Sequence, residues 1–169
     1  IHIVRTNHSN PFCAIRTSQS AWTNIGSNII GGEDKKITVN SSNNQSSPVI
    51  SYAIEHAPSN ISQANSTVTD NYISNIRLTR SSAHLEHSFR AIDIVSHTAS
   101  NTLSVSRNFI HSIELSVNNT SSTQNITGIR IDNGSSSGNA NTIRQVFNNI
   151  ISLGTSISCN TNIQGIMET

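Results

Sequence analysis

Charged residues directly after a repeated dipeptide are the first candidates for chemistry in this chain. The dipeptide is Ala-Ile or Gly-Ile, and its five copies recur at intervals of 37 to 39 residues. The residues that follow these copies are, in order, Arg16, Glu55, Asp93, Arg130 and Met167. If the repeats stack, two carboxylates stand between two arginines in one column. Two carboxylates a few ångströms apart can act as general acid and general base when their surroundings separate their pKa values.

The same column is also compatible with a structural role. Opposite charges on adjacent strands attract, so Arg16 can pair with Glu55, and Asp93 with Arg130, in an outward-facing charge ladder. No third Asp or Glu falls in the column, so the acidic trio of many hydrolases is not present. We therefore favour the charge ladder and keep Glu55, Asp93, Arg16 and Arg130 as the alternative catalytic candidates.

Two aromatic residues are candidates for ligand binding. Tyr72 and Phe109 occupy the same place in neighbouring repeats, with Ile29 expected below them and Asn149 above. They could form a two-rung platform for a sugar ring. The interpretation that we favour is that the two rings pack on each other, which contributes about 0.5–1.5 kcal/mol beyond area burial.

The sequence predicts neither a metal centre nor a cofactor. His84, Glu86 and His87 lie close together, but a metal site needs further ligands that no motif supplies. The cysteines Cys13 and Cys159 are expected about four rungs apart, or roughly 19 Å along a stack of strands. Bridged Cα atoms lie within about 7 Å of each other, so we expect no disulfide between them.

A second marker recurs in phase with the dipeptide and points to the elements that carry these side chains. It is an Asn followed two residues later by Ile, and it begins at Asn28, Asn71, Asn108 and Asn148. Two markers in phase indicate one supersecondary unit repeated about four times. We expect the four asparagines to stack as a ladder that satisfies backbone groups at a corner. One coil per repeat is favoured, although two coils of roughly 18 residues remain an alternative.

The residues of each repeat favour strands over helices. The dipeptide is expected to open a short strand with alternating sides, as in Ala91-Ile92-Asp93-Ile94, and its small residue suits a bend. The spacing N-x-I-x-x-[I/L] breaks this alternation and predicts a corner between two short strands. Gly31-Gly32 departs from the pattern in the first unit. The prediction is an all-β, right-handed parallel β-helix, or β-solenoid, of about four to five coils.

Repeat lengths differ mainly in one place, between the second marker and the next dipeptide. The inserts span residues 31–47, 81–90, 116–127 and 154–164, and we expect them to share one corner of the coil. Loops gathered on one face of a solenoid are where recognition usually occurs.

Composition narrows the classes of partner. Only 11% of the residues are charged, 4% are aromatic, and the net charge is +1. There is no basic stripe for nucleic acid, and no apolar run approaches the roughly 20 residues of a membrane helix. We therefore expect neither a nucleic-acid partner nor a membrane span.

The repeat motifs resemble a known family. The G-I-x-I strand, the starts at Asn101-Thr102-Leu103 and Asn141-Thr142-Ile143, and the N-x-I-x-x-I turn are similar to right-handed parallel β-helix repeats of Ser/Thr/Asn-rich exported surface proteins of the Bacteroidetes kind. The resemblance implies a secreted or cell-surface location and a structural or adhesive role, with polysaccharide or cell-surface protein as partner. The same coil also serves polysaccharide lyases and hydrolases, so a carbohydrate-active enzyme is the alternative.

Domain organisation follows from the same repeat. Residues 1–169 are expected to form a single β-helix segment, because the markers run through nearly the whole chain. A solenoid needs terminal caps, and neither end of the sequence offers one. We therefore expect an excerpt from a longer chain whose remaining repeats continue the stack.

Overall fold

A computed structural model describes residues 4–5, 12–18, 23–41, 49–57, 65–80, 87–95, 102–117, 123–132, 143–154, 156–157 and 160–169. Within these ranges the chain forms strands, turns and bends without any helix, so no described helix could cross a membrane. In chain order the strands are β1 (Val4–Arg5), β2 (Cys13–Ser18), β3 (Thr23–Gly26), β4 (Ile29–Ile30), β5 (Ile37–Ser41), β6 (Val49–Ala57), β7 (Ser66–Thr69), β8 (Tyr72–Arg80), β9 (His87–Ile94), β10 (Thr102–Ser106), β11 (Phe109–Val117), β12 (Gln124–Ile131), β13 (Ile143–Phe147), β14 (Ile150–Ser152), β15 (Ser156–Ile157) and β16 (Thr161–Glu168). The all-β prediction is confirmed.

The strands form three parallel sheets. Sheet A has the order β1-β5-β8-β11-β14, with β4 on β8 and β15 on β11. Sheet B has the order β16-β12-β9-β6-β2, and sheet C the order β13-β10-β7-β3. From β2 onwards the chain visits sheets B, C and A in turn, so each repeat adds one rung to each sheet. This arrangement is compatible with a β-solenoid.

The register follows the repeated dipeptide. Ile15 pairs with Ile54, and the row continues through Ile92 and Ile129 to Ile166. Partners in sheet B are therefore 37 to 39 residues apart, and the expected single rung per repeat is confirmed.

The dipeptide lies inside its strand, so the expectation that it opens a strand is wrong. Strands β6, β9 and β12 begin four residues earlier, at Val49, His87 and Gln124. The reason is burial ahead of the dipeptide, because Phe89 and Ile126 already face the core.

The core is a column of stacked aliphatic rows between the sheets. Ile54, Ile92 and Ile129 are fully buried in sheet B, and the row Ile73 and Ile110 is fully buried in sheet A. Like residues stack on like because the register repeats from rung to rung, so each added rung buries the row below it.

Small residues line one inner row of sheet B, at a place where the backbone passes close to its neighbours. Ala53 and Ala91 are fully buried in that row. A Cβ added at Gly128 would lie 2.6 Å from the carbonyl oxygen of Gly165 and 2.8 Å from the Ile151 side chain. The expected packing role of the Ala or Gly position is confirmed.

An asparagine ladder runs along the corner between sheets C and A. The Nδ2 of Asn71 donates to Oδ1 of Asn108 at 2.9 Å, and Asn28 makes the same contact with Asn71. Asn71 and Asn108 each also donate to a carbonyl of the preceding rung, as Asn108 does to Val68, whereas Asn28 donates to the Gly26 carbonyl within its own rung. The ladder satisfies buried backbone groups, as expected.

The fourth member of the ladder is Asn149, so the assignment of Asn148 was wrong. The Nδ2 of Asn108 donates to Oδ1 of Asn149 at 2.9 Å. Asn148 instead has a φ of 54° and joins Ser27, Asp70 and Arg107, whose φ values are 55–57°. A left-handed residue before each ladder position turns the chain, and Asn tolerates that conformation well. The consecutive asparagines at 148 and 149 made the marker ambiguous.

The predicted corner within the second marker is a bend inside a continuous strand. Strands β8 and β11 run through it, and Asn75 and Ser112 take φ values of 53° and 54° there. In the first repeat the same region is split into β4 and β5. Gly31, with a φ of 83°, passes so close to Ser74 that a Cβ would lie 1.7 Å from its carbonyl oxygen. The Gly31-Gly32 departure therefore reflects a backbone contact that admits no side chain.

The predicted bounds of the variable inserts were too wide, because β5 lies within 31–47 and the first residues of β9, β12 and β16 lie within the other three inserts. The connections that remain are of one kind. The four segments between β5 and β6, β8 and β9, β11 and β12, and β15 and β16 all lead from sheet A to sheet B. Residues 42–47, 81–86, 118–122, 155 and 158–159 of the predicted inserts lie outside the described ranges.

The core row of sheet B is exposed at its last rung. Ile166 in β16 is 56% exposed, whereas Ile129 in the same row is fully buried.

Candidate functional site

The charged column predicted from the sequence is a single row of sheet B. Arg16 pairs in register with Glu55, Glu55 with Asp93, Asp93 with Arg130 and Arg130 with Met167. Both expected ion pairs are present between adjacent strands. The row is therefore built by the parallel register of β2, β6, β9, β12 and β16.

Asp93 is the most constrained member of this row. Its Oδ2 lies 2.9 Å from Nη1 of Arg90, and its Oδ1 lies 3.1 Å from Nη1 of Arg130. The Asp93 side chain is only 1% exposed, although we expected it to face outward into solvent. The reason is that both arginines cover it. A buried carboxylate needs partners of this kind, because an unpaired charge away from water is costly.

Arg130 extends the cluster to a second carboxylate. Its Nη2 contacts Oδ2 of Asp132, two residues later and just past the end of β12, at 2.7 Å. Burial lowers the pKa of Arg130, but the hydrogen bonds and charges of Asp93 and Asp132 outweigh this effect and raise it overall. Arg90, Asp93, Arg130 and Asp132 thus form a neutral group, which we call the Asp93 cluster.

The other ion pair of the row is more exposed. The Nε and Nη2 of Arg16 lie 2.6 Å from Oε2 of Glu55. The Arg16 side chain is 54% exposed. The hydrogen bond to Glu55 raises the pKa of the Arg16 guanidinium. The Arg16–Glu55 pair is a surface ion pair, which typically contributes little to stability.

Cys13 and Tyr52 lie in the next outward row of sheet B. Burial, assisted by the Glu55 charge, raises the pKa of the Cys13 thiol to about 11. The thiol donates to the Ile15 carbonyl oxygen at 3.2 Å. Burial and then the Asp93 charge raise the pKa of Tyr52, and the Arg90 guanidinium lies 6.0 Å from its ring centroid. Both groups are held in their neutral forms. Cys159 lies outside the described residues.

A groove beside the Asp93 cluster was not predicted from the sequence. It has a volume of about 200 Å³ and lies on the outer face of sheet B. Its walls are one charged, four polar and two apolar side chains: Arg90, Ser88, Asn125, Thr127, Gln164, Ile50 and Met167. The signal for this groove is the alternation of outward residues along β9, β12 and β16, which brings these polar side chains together. The strands were expected to begin too late to include Ser88 and Asn125.

The aromatic candidates pack on each other in sheet A. The ring centroids of Tyr72 and Phe109 are 5.3 Å apart in an edge-to-face arrangement. His111, which no sequence pattern indicated, shares a hydrogen bond of 2.7 Å between its Nε2 and the Tyr72 hydroxyl. The next residue in the row after Phe109 is Ile150, so the expectation of Asn149 there was wrong. Ile29 lies on the other side, as expected.

A second unpredicted polar group lies inside the molecule. His56 is fully buried, with Nδ1 2.7 Å from the Thr17 hydroxyl and Nε2 3.0 Å from the Ser66 hydroxyl. It joins sheets B and C, because Thr17 and Ser66 belong to β2 and β7. The neighbouring hydroxyls satisfy both ring nitrogens, as a buried imidazole requires.

No cluster of three or more potential metal ligands of the His, Cys, Asp or Glu type occurs in the part of the chain that the structure describes. His84 and Glu86, which belong to the histidine-rich insert, lie outside that part.

Comparison with known proteins does not assign this chain to a family. No protein-family model, no curated protein and no solved structure matches it.

Proposed function

We propose that the chain is a non-catalytic structural or adhesive segment of a secreted or cell-surface protein. In this proposal its three parallel sheets wind as a right-handed β-helix, similar to repeats of exported surface proteins of the Bacteroidetes kind. The order of the sheets supports it, since strands linked by crossovers within one parallel sheet almost always follow the right-handed path. Such a segment supplies length and rigidity, and it offers its loops and outer faces to partners.

The observation that carries the non-catalytic role is the Asp93 cluster. A catalytic carboxylate has to reach the substrate, within hydrogen-bond distance or through one water. Each carboxylate oxygen of Asp93 contacts an arginine, and the Asp93 side chain is almost completely shielded from solvent. These contacts favour a charge ladder that ties β9 to β12. Glu55 is similarly held by Arg16.

Partners of such a segment are glycans or cell-surface proteins. The connections from sheet A to sheet B repeat at the same corner, and the groove on sheet B begins beside them. Loops on one face of a repeat array are a common recognition surface. A net charge of +1 gives no support to nucleic-acid binding.

A carbohydrate-active enzyme is the second candidate, and one observation favours it. Glu55 and Asp93 are direct register partners, with an arginine beside each. Paired carboxylates at neighbouring strand positions are about 5 Å apart, close to the separation found in retaining glycosidases.

Depolymerisation assays separate the two functions. Polygalacturonate, cellulose and mannan would be incubated with the purified chain and with its Glu55→Gln and Asp93→Asn variants, and reducing ends would be counted. The structural proposal predicts no release above the buffer blank for any of the proteins. Release by the wild type that either substitution abolishes would overturn it and establish the enzyme.

A further inference from the structure

We propose that the groove on the outer face of sheet B binds one ring of a neutral glycan. This inference rests on the proposed adhesive function and gives it a site and a ligand class. The groove is defined by Ile50, Ser88, Arg90, Asn125, Thr127, Gln164 and Met167.

The size of the groove selects a small ligand. Its volume of about 200 Å³ is below the roughly 300–1,000 Å³ of pockets for drug-sized molecules. Arg90, Thr127 and Gln164 are register partners on three adjacent strands, so the row spans about 10 Å at the usual strand spacing. A single sugar ring fits that span, while the remainder of a glycan would extend along the open face.

The polar groups of the groove match hydroxyl chemistry. Gln164 accepts from the Thr127 hydroxyl at 3.3 Å through Oε1, and Gln164 is exposed. Nη1 of Arg90 donates to Asp93, and the Arg90 side chain makes no other hydrogen bond with a described residue. Its other N–H groups are therefore available to a ligand. Asn125 adds an amide beside the Ser88 hydroxyl, with the two atoms 3.4 Å apart. The groove thus brings a guanidinium, two amides and two hydroxyls together, which are groups that form hydrogen bonds with sugar hydroxyls.

Apolar side chains complete the match. Ile50 and Met167 line the groove together with this polar row. A pyranose has hydroxyls at its edge and C–H groups on its faces, so it needs both kinds of wall. Binding sites commonly combine an apolar lining with a few placed polar groups, and the unbranched Met side chain adapts to irregular shapes.

Charge on the surrounding face favours a neutral ligand over an acidic one. Arg90 is the only formally charged residue among the described residues that line the groove, and its Nη1 lies 2.9 Å from the carboxylate of Asp93. In and beside the charged row, three arginines (Arg16, Arg90 and Arg130) pair with three carboxylates (Glu55, Asp93 and Asp132). A polyanion therefore meets no net positive field here.

The test is an NMR titration of the whole chain with maltohexaose, cellohexaose and mannohexaose, and with polygalacturonate as the anionic comparison. We expect at least one neutral hexasaccharide to shift amide signals of β9, β12 and β16, and polygalacturonate to leave them unchanged. Gln164→Leu should weaken that binding by about fivefold, the change that one lost hydrogen bond produces.

Gln145→Leu is the matched control, since Gln145 is exposed on β13 of sheet C and lies outside the groove. It should change affinity by less than about twofold, and the melting temperatures of both variants should confirm folding. Equal effects of the two substitutions, or no effect of Gln164→Leu, would overturn the site. Binding of polygalacturonate alone, or of none of the four probes, would overturn the ligand class.

The experiments distinguish failure of this site from failure of the proposed function. If the neutral hexasaccharide binds in the groove and is also cleaved, the non-catalytic function fails while this site stands. If nothing binds and nothing is cleaved, the site fails and the structural role stands.

Discussion

Nη1 of Arg130 lies 3.1 Å from Oδ1 of Asp93, across two neighbouring strands of sheet B and 37 residues apart in the chain. The carboxylate is 1% exposed. The same repeat period that stacks the isoleucines therefore brings two opposite charges together away from water. Removing one partner of such a pair leaves an uncompensated charge, which is strongly destabilising.

Asp93→Asn should lower the free energy of unfolding by about 3 kcal/mol, because Arg90 loses its carboxylate partner and Arg130 keeps only Asp132. Glu55→Gln, at the exposed pair with Arg16, should cost less than about 1 kcal/mol. Urea denaturation followed by circular dichroism measures both. Equal losses for the two variants would contradict the buried, structural role of Asp93.

The asparagine ladder gives a prediction that distinguishes residues 148 and 149. Asn149→Ala removes the acceptor of Asn108 and the donor to the Val105 carbonyl oxygen, so it should cost about 2 kcal/mol. Asn148→Gly should cost nothing measurable, because glycine adopts the left-handed conformation freely. Thermal unfolding of the two variants checks this. A greater loss for the Asn148 variant would mean that the ladder register is wrong.

Two glycines in one row of sheet B should respond differently to a methyl group. Gly128→Ala places a Cβ 2.6 Å from the Gly165 carbonyl oxygen and should destabilise the chain by about 1–3 kcal/mol through overpacking. Gly165→Ala meets no atom within 4 Å and should be neutral or slightly stabilising. Denaturant midpoints provide the comparison. Equal tolerance of both substitutions would show that the two strands are not packed this closely.

The free energy of unfolding should depend on pH through the Cys13 thiol. Its pKa of about 11 is higher than that of a free thiol, near 8.5, because burial and the Glu55 charge disfavour the thiolate. The stability that this shift contributes is therefore complete below about pH 8.5 and is lost as the pH rises towards 11.

Alkylation by iodoacetamide in a Cys159→Ser background measures this pKa directly. The rate should rise with a midpoint near 11, and Glu55→Gln should move the midpoint down, since it removes a charge that opposes ionisation. A midpoint near 8.5 would indicate an exposed thiol.

Most of the architecture could be predicted from the repeat period of the sequence. A dipeptide in phase with a second marker predicted the row Ile54, Ile92 and Ile129 and both ion pairs, because a parallel stack converts sequence period directly into register. The assignment of Asn148 to the ladder was wrong because either of two adjacent asparagines completes the pattern, and the structure places Asn149 in the ladder.

Burial of polar groups could not be predicted in the same way. The column position predicted that Asp93 faces outward, but Arg90, three residues earlier, folds over it. The groove likewise depends on which side chains of β9, β12 and β16 alternate outward together. Such contacts depend on side-chain direction across rungs, and a period alone does not contain that information.

A double-mutant cycle between Asp93 and Arg130 tests the central claim most directly, namely that the charged row holds adjacent rungs together. Unfolding free energies of the wild type, Asp93→Asn, Arg130→Met and the double variant give the interaction energy of the pair. We predict about 1.5 kcal/mol or more, with the double variant little less stable than either single variant. An interaction energy near zero, with Asp93→Asn as stable as the wild type, would contradict the structural role of the row.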